Sequence, residues 1–286
     1  MKFGICITAA PAPAFLNHTT IIAIARQAEA WGYESIFLTD HYMTPNYVET
    51  YAVLPFLSYL AAATSTMKLG TVVTPIPFRP PGILAKMIST MDILSNGRII
   101  LGIGAGWSQT EFEAYSQWDS DRIRVKKTLE GLQLMLQLWE GKEVDFHGTY
   151  YQAKGAVVQP QPIQKPHPPL WFGTSGKYML KLTAQYGDGW LPWCTITPEQ
   201  YKEKAQLLQR EAKKVGRADK ITYAGVIGQI TTPELGHFKR HPPVYKWAET
   251  VENYIQAGCE YALLYFHPYE YLSLMKKFTD DVLPSF

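Results

Sequence analysis

One candidate for chemistry in the sequence is a carboxylate beside an imidazole. Asp40 and His41 come directly after a compact apolar run in the segment SIFLTDH, residues 35–41. Imidazole titrates near neutrality, so His41 can donate or accept a proton while a hydride is transferred nearby. The alternative is that Asp40 caps a turn and His41 packs structurally. We assign His41 to catalysis, as the group that moves the proton, and Asp40 to cofactor binding.

A glycine-rich run, GIGAGW at residues 102–107, follows another apolar segment. Glycines have no side chains, so a flat ring could approach the backbone at such a run. We therefore assign Ala105, Gly106 and Trp107 to a cofactor-binding wall, where Trp107 could stack on the ring. The alternative is that the glycines fill tight corners between strands and that Trp107 covers the strand ends.

A second glycine-containing turn precedes a predicted helix. Its residues are Gly173, Thr174, Ser175, Gly176 and Lys177. Backbone N–H groups at a helix N-terminus, two hydroxyls and one ammonium would together form a phosphate cradle. The spacing is not that of a P-loop, so hydrolysis of a nucleoside triphosphate is not indicated. A plain turn between strand and helix is the alternative.

Two prolines end the run GTVVT, residues 70–74. Pro75 and Pro77 cannot donate to the ladder of a central strand, so the strand must bend or bulge there. An ordinary strand exit is the alternative, and composition does not decide between them.

Two acidic residues and several histidines carry weaker signals. Glu111 and Glu113 follow closely on Trp107 and are expected to begin a solvated helix. His147 is expected to be a solvated loop residue. His237, His241 and His267 share no ligand spacing, so no metal site is predicted.

All of these segments belong to a regular alternation of strand-like and helix-like patterns. The predicted strands are residues 2–7, 35–40, 68–73, 98–104, 169–176, 189–192, 221–228 and 261–266. The intervening helical segments are residues 21–32, 54–65, 83–94, 121–139, 177–186, a helix beginning at Thr197-Pro198-Glu199, 244–257 and 270–282. A capping hydroxyl followed by proline is typical of a helix start.

Eight strand–helix pairs indicate a parallel sheet, and nearly continuous apolar strands indicate burial on both faces. In 286 residues this favours an α/β fold of the closed (β/α)₈ TIM-barrel type over an open doubly wound sheet. Functional groups in such a barrel lie at the C-terminal ends of the strands. We expect one barrel domain over residues 1–286, with a Pro-rich insertion segment at 143–168 before the fifth strand.

The composition indicates which classes of partner the protein binds and in which cellular compartment it is found. The net charge is +2 and no basic run stands out, which argues against a nucleic-acid partner. Cys6, Cys194 and Cys259 are far apart and odd in number, which disfavours a disulfide framework and favours the reducing cytoplasm. The sequence shows neither a signal-peptide pattern nor an apolar run of about 18 residues, so no membrane partner is predicted.

Several motifs, in the same order, resemble those of the luciferase-like monooxygenase superfamily. They are WGYESIFLTDH, LGTVV, LAKMISTMDILSNGRIILGIGAGW, FHGTYY, PPLWFGTSG and GDGW, within residues 1 to about 193. The resemblance is closest to the branch of probable coenzyme F420-dependent oxidoreductases, whose members have a bacterial luciferase-like barrel.

The resemblance implies a barrel that binds a deazaflavin, whose C5 atom accepts or gives a hydride. In relatives the Asp-His pair lies beside the ring and the histidine serves as proton donor, and Asp40 and His41 match that pair. Relatives also carry a bulge with a non-prolyl cis peptide that supports the ring, and Val72 and Val73 match its position. The Gly-Ala-Gly-Trp run matches a cofactor-lining segment, and residues 173–177 match the phosphate loop.

The sequence departs from the sugar-phosphate dehydrogenases of that branch. They have a catalytic Glu where this chain has Trp107, and a Trp where it has Pro45. These departures disfavour sugar-phosphate oxidation by that acid/base pair. We expect hydride transfer between F420 and an unidentified small organic substrate, in a homodimer, since relatives often form dimers. An FMN-dependent monooxygenase or reductase, and a cofactor-binding protein without turnover, are the alternatives.

Overall fold

Strands and helices alternate along the chain. The structure is a computed structural model, and it describes residues 1–8, 16–43, 50–236 and 243–286. Pro45, His237 and His241 lie outside these residues. The strands are β1 (Lys2–Ile7), β2 (Ser35–Leu38), β3 (Lys68–Thr71), β4 (Thr74–Pro75), β5 (Ile99–Gly104), β6 (Val144–His147), β7 (Gln152–Ala156), β8 (Leu170–Phe172), β9 (Gly189–Trp190), β10 (Thr222–Ile230), β11 (Pro243–Val244) and β12 (Tyr261–Phe266). The α-helices are α1 (His18–Ala30), α2 (Val53–Ala63), α3 (Pro81–Leu94), α4 (Gln109–Tyr115), α5 (Asp121–Leu138), α6 (Lys177–Tyr186), α7 (Pro198–Lys214), α8 (Trp247–Gln256) and α9 (Tyr271–Asp281).

The principal strands close into a parallel barrel. The order of hydrogen-bonded neighbours is β1, β2, β3, β5, β8, β9, β10 and β12. Strand β12 pairs with β1 in parallel, which completes the ring. The predicted (β/α)₈ barrel is therefore confirmed, and its strands are buried on both faces because helices cover the outside.

Large side chains fill the inside of the barrel. Phe37 and Trp171 stack with ring centroids 5.4 Å apart. Neighbouring strands make room for these rings with glycine: a Cβ on Gly70 would lie 2.3 Å from the Phe37 ring, and one on Gly189 would lie 2.5 Å from Trp171. The inside of the barrel is thus a packed core.

Helix boundaries follow the capping signals in the sequence. Helix α7 begins with a capping box, in which the Thr197 hydroxyl accepts from the Gln200 amide and the Gln200 side chain accepts from the Thr197 amide. Gly32 follows α1 with a φ of 84°, a conformation that favours glycine. Both features confirm the predicted ends of these helices.

The predicted insertion, residues 143–168, contains the antiparallel pair β6–β7, which joins no barrel strand in the described structure. Its turn is held by α5, because the Glu130 carboxylate accepts hydrogen bonds from the amides of Thr149, Tyr150 and Tyr151.

Three further observations concern the cysteines, possible metal ligands and possible membrane-spanning helices. Cys6, Cys194 and Cys259 are buried free thiols. Among the described residues, no cluster of His, Cys, Asp and Glu side chains is arranged to bind a metal ion. None of the helices described is long and apolar enough to cross a membrane.

Candidate active site

A cavity of about 480 Å³ opens where the barrel strands end. Most residues assigned to the site from the sequence lie on its wall. They are Asp40, His41, Val72, Val73, Ala105, Gly106, Trp107, Gly173, Thr174, Ser175 and Gly176. The strand ends thus bring together four segments that are far apart in the sequence, as expected for a parallel barrel.

His41 is held by a buried carboxylate that the sequence did not identify. Its Nδ1 atom lies 2.9 Å from Oε2 of Glu111, and the other oxygen of Glu111 accepts from the amides of Tyr42 and Met43 at 2.5 and 3.3 Å. Because Nδ1 faces a carboxylate, the neutral imidazole carries its proton there, which leaves Nε2 to exchange a proton with a ligand.

The expectation that Glu111 belongs to a solvated helix face was wrong. Helix α4 does form, but it turns Glu111 inwards, and this residue is only 1% exposed. Glu113 is exposed and accepts from Gln109 Nε2 at 2.8 Å. In a helix of seven residues, the apolar periodicity is too short to show which carboxylate is buried.

Asp40 forms a bidentate ion pair with Arg79. Its two oxygens accept from Arg79 Nη1 and Nη2 at 2.7 and 2.8 Å. The side chains are 0% and 10% exposed respectively. Burial lowers the pKa of Arg79, but the Asp40 carboxylate outweighs this effect and holds that pKa above its usual value. Both oxygens of Asp40 are therefore engaged by the protein itself.

The third strand is interrupted at Val72 and Val73, between β3 and β4, and the peptide bond joining them is cis, as the resemblance implies. The Val73 side chain fits between two glycines, Gly104 at the end of β5 and Gly173 just after β8. A Cβ on Gly104 or on Gly173 would lie 2.4 Å from a methyl group of Val73. Val73 therefore forms a fixed apolar surface on the cavity wall.

The glycines of the run 102–107 serve protein packing. A Cβ on Gly102 would lie 1.7 Å from the Thr71 carbonyl oxygen, and one on Gly106 would lie 2.4 Å from the Phe112 ring. Close packing against protein atoms therefore accounts for glycine at these two positions, and the approach of a flat ring to this backbone stays a prediction. The backbones of Ala105 and Gly106 still line the cavity.

Trp107 projects from the rim of the cavity. Its side chain is 60% exposed, and its ring meets the His41 ring edge-on at a centroid distance of 5.8 Å. It stands beside the imidazole, where it can cover a ligand bound next to His41.

The amino end of α6 faces the cavity through residues 173–176. Gly176 is its N-cap and no side chain caps the first-turn amides, so these N–H groups can bind an anion. Lys177 is exposed and does not line the cavity. Its ammonium, with Lys214 and Lys181, helps to lower the pKa of Glu211 on α7. A contribution of Lys177 to phosphate binding stays a prediction.

A different cation lies on the cavity wall. Arg124 of α5 is buried and lines the cavity together with Asp121. No local pattern distinguishes Arg124, because it lies within a long helix with charged residues on several faces.

Comparison with known proteins identifies the family. The model of the luciferase-like monooxygenase family matches residues 1–231. The chain belongs to this family. Among curated relatives of this luciferase-like protein, an F420-dependent glucose-6-phosphate dehydrogenase of Microbacterium testaceum is 32% identical over 62% of the chain. The matched region spans only 53% of that relative's length.

Solved structures share the fold over the whole length of this luciferase-like protein. An F420-dependent secondary alcohol dehydrogenase in complex with an F420-acetone adduct is 21% identical, with a TM-score of 0.84 over 99% of this chain and 98% of that one. The monooxygenase RslO1 from Streptomyces bottropensis is also 21% identical, with a TM-score of 0.82. The match covers 100% of this chain and 99% of RslO1. At this level of identity the likeness shows the fold alone.

Proposed function

We propose that this protein is an F420-dependent oxidoreductase that moves a hydride between the deazaflavin and a small organic substrate. The observation that carries the proposal is the position of His41 on the wall of a cavity that also contains Val73 and the amino end of α6. The relative and the alcohol dehydrogenase described above, whose names give F420 as their cofactor, add support.

The cavity has the features that such a cofactor requires. Its volume of about 480 Å³ lies within the range of small-molecule and cofactor sites. Val73 offers an apolar surface for a flat ring, and the uncapped amides of α6 offer donors for a phosphate. Bound there, a deazaflavin would supply the hydride acceptor or donor at its C5 atom.

The protein's own residues would position the reactants and handle the proton. In the proposed role, the protonated His41 donates its Nε2 proton to the substrate oxygen during reduction and takes it back during oxidation. Glu111 orients the ring through Nδ1 and stabilises the imidazolium form. Trp107 would limit the access of water to the reacting groups.

We propose that the substrate is not a sugar phosphate. The relatives that oxidise glucose 6-phosphate resemble this chain over only part of their length. In addition, Trp107 stands where the resemblance expects a catalytic carboxylate. An alcohol, a carbonyl compound or an activated alkene would be compatible with proton transfer by a single histidine.

Turnover with a panel of substrates tests the proposal. Purified protein is mixed with reduced F420, and re-oxidation of the deazaflavin is followed with aldehydes, ketones and enones; the reverse assay uses oxidised F420 and alcohols. We expect turnover with at least one class and none with glucose 6-phosphate. Binding of F420 without any turnover would favour the cofactor-binding alternative. Oxygen uptake with reduced FMN would favour the monooxygenase alternative.

We further propose that the protein acts as a cytoplasmic homodimer. The three buried free thiols are compatible with a reducing compartment. Light scattering coupled to gel filtration would test the dimer, and a monomeric mass would contradict it.

A further inference from the structure

A buried arginine on the cavity wall has hydrogen-bond donors that the protein does not use. Arg124 lines the cavity together with residues 173–176, and its side chain is 7% exposed. A guanidinium has five N–H donors. Nη1 of Arg124 donates to the Asp119 carbonyl, and Nη2 donates to Oδ1 of Asp121 at 2.7 Å. The Nε atom is buried and has no partner in the described parts of the chain.

The guanidinium is fixed in position by an aromatic ring. The Cζ atom of Arg124 lies 3.8 Å from the centre of the Trp118 ring. An arginine held in this way loses little side-chain freedom when it binds a ligand. Its orientation towards the cavity is therefore set before any ligand arrives.

The positive charge of Arg124 is only partly compensated. Asp121, which pairs with it, is 92% exposed, so solvent screens that interaction. The Asp119 carboxylate is engaged by Lys127 at 2.5 Å. A buried guanidinium without a matching buried anion is costly, and an anionic ligand would reduce that cost.

The geometry points to Arg124 as a binding residue for the anionic arm of the cofactor, acting together with the amino end of α6. This inference rests on the proposed function. Guanidinium groups suit phosphate and carboxylate oxygens, and a helix N-terminus suits a phosphate. F420 carries both anions beyond its ring, a phosphodiester and glutamyl carboxylates. Asp121 competes with them for Nη2 and can turn out into solvent when they bind.

A pair of ligands and a pair of variants test this assignment. F420 and FO share the deazaflavin ring, but FO lacks the phosphate and the carboxylates. Arg122 is exposed on the same helix, so Arg122→Gln removes the same charge as Arg124→Gln without touching the cavity. We expect Arg124→Gln to weaken F420 binding at least about tenfold and to leave FO binding unchanged. Arg122→Gln should weaken F420 binding less than about threefold.

Equal losses of F420 affinity in the two arginine variants would overturn the assignment, as would an equal loss of FO and F420 affinity in Arg124→Gln. A second variant, at Asp121, should have the opposite effect on F420 binding. Asp121→Asn removes the competing carboxylate and should strengthen F420 binding about threefold without an effect on FO. Weaker F420 binding in Asp121→Asn would contradict the assignment, and this variant decides if Arg124→Gln does not fold.

The test separates this inference from the proposed function. If the wild-type protein does not bind F420, the proposed cofactor is wrong. FMN and riboflavin, which differ by one phosphate, then replace F420 and FO. The assignment of Arg124 survives if Arg124→Gln weakens FMN binding more than riboflavin binding, and it fails otherwise.

Discussion

The Nδ1 atom of His41 lies 2.9 Å from the buried carboxylate of Glu111, a residue seventy positions further along the chain. The same carboxylate accepts from the backbone amides of Tyr42 and Met43. One buried acidic group therefore fixes both the imidazole and the backbone that carries it. This arrangement explains how a histidine just beyond a strand end can keep a defined orientation.

Replacement of Glu111 by Gln should reduce turnover more than cofactor binding. The amide can still fill the space, but it cannot stabilise an imidazolium at Nδ1. We expect kcat to fall about 10-fold to 100-fold, and His41→Ala to lower it by about 100-fold or more. Cofactor affinity should change less than about threefold. Steady-state kinetics and equilibrium titration of the same preparations measure the two quantities. A normal kcat in His41→Ala would rule out the proton-donor role.

Removal of the ion pair between Asp40 and Arg79 by substitution should destabilise the fold. Asp40→Asn leaves a buried guanidinium without its counter-charge, which typically costs about 3–5 kcal/mol of unfolding free energy. The double variant Asp40→Asn/Arg79→Met should lose less than the sum of the two single changes. Urea denaturation measures these differences. The exposed pair Lys276–Asp280 is the control, and Lys276→Gln should cost less than about 1 kcal/mol. A similar small effect for Asp40→Asn would show that the pair is dispensable.

Two glycines in the same turn should differ sharply in their tolerance of alanine. A Cβ on Gly173 would lie 2.4 Å from Val73, whereas one on Gly176 would meet no atom within 4 Å. Gly173→Ala should lower stability by about 1–3 kcal/mol and weaken cofactor binding, because Val73 must move into the cavity. Gly176→Ala should change stability by less than about 0.5 kcal/mol. Thermal unfolding of both variants provides the comparison, and equal effects would mean that Val73 is not wedged between strands.

Glu29 should make the stability depend on pH in the acidic range. Burial raises the pKa of Glu29, but hydrogen bonds from the amides of Thr66, Met67 and Ser65 and from the Thr66 hydroxyl outweigh it, so the pKa is lowered. A lowered pKa in the folded state stabilises the protein above the unfolded pKa of about 4.3, and this contribution disappears as the pH falls through the folded pKa.

The variant Glu29→Gln should therefore lose about 1 kcal/mol at pH 7, since solvent screening reduces the effect of these charge-assisted hydrogen bonds. The difference from wild type should shrink below about pH 4. Denaturation curves at a series of pH values measure it. Glu34→Gln, which removes the partner of the exposed Lys2, is the control. A difference that stays constant down to pH 3 would contradict this account.

The barrel and most of the cavity wall could be predicted from the sequence because both depend on local patterns. Apolar runs identify the strands, and the segments at their ends must meet at one end of a parallel barrel. For this reason His41 and Gly173 could be predicted to lie near the mouth of the barrel, where both line the cavity, whereas Val72 and Val73 were assigned from the family resemblance. The cis bond at Val72 came from the family resemblance, since no local pattern in this sequence specifies it.

The partners of these residues could not be predicted, because they depend on contacts between distant segments. Glu111 lies in a seven-residue helix whose buried face is not visible from its periodicity. Arg79 follows a run of prolines and meets Asp40 only through the barrel geometry. The sequence predicts Lys177 as a phosphate ligand because it directly follows the glycine-containing turn, and no local pattern indicates that Arg124 lines the cavity. A carboxylate at the end of a buried strand, such as Asp40, indicates that a cationic side chain pairs with it. The sequence does not indicate which cationic residue that is.

A side-by-side titration of the purified protein with F420 and FMN tests the central claim most directly. Each cofactor is added to the apoprotein at a fixed ionic strength, and binding is followed by the fluorescence of the flavin or deazaflavin. We predict that F420 binds at least about tenfold more tightly than FMN, a difference of about 1.4 kcal/mol. FMN binding as tight as that of F420, or tighter, would contradict the deazaflavin assignment.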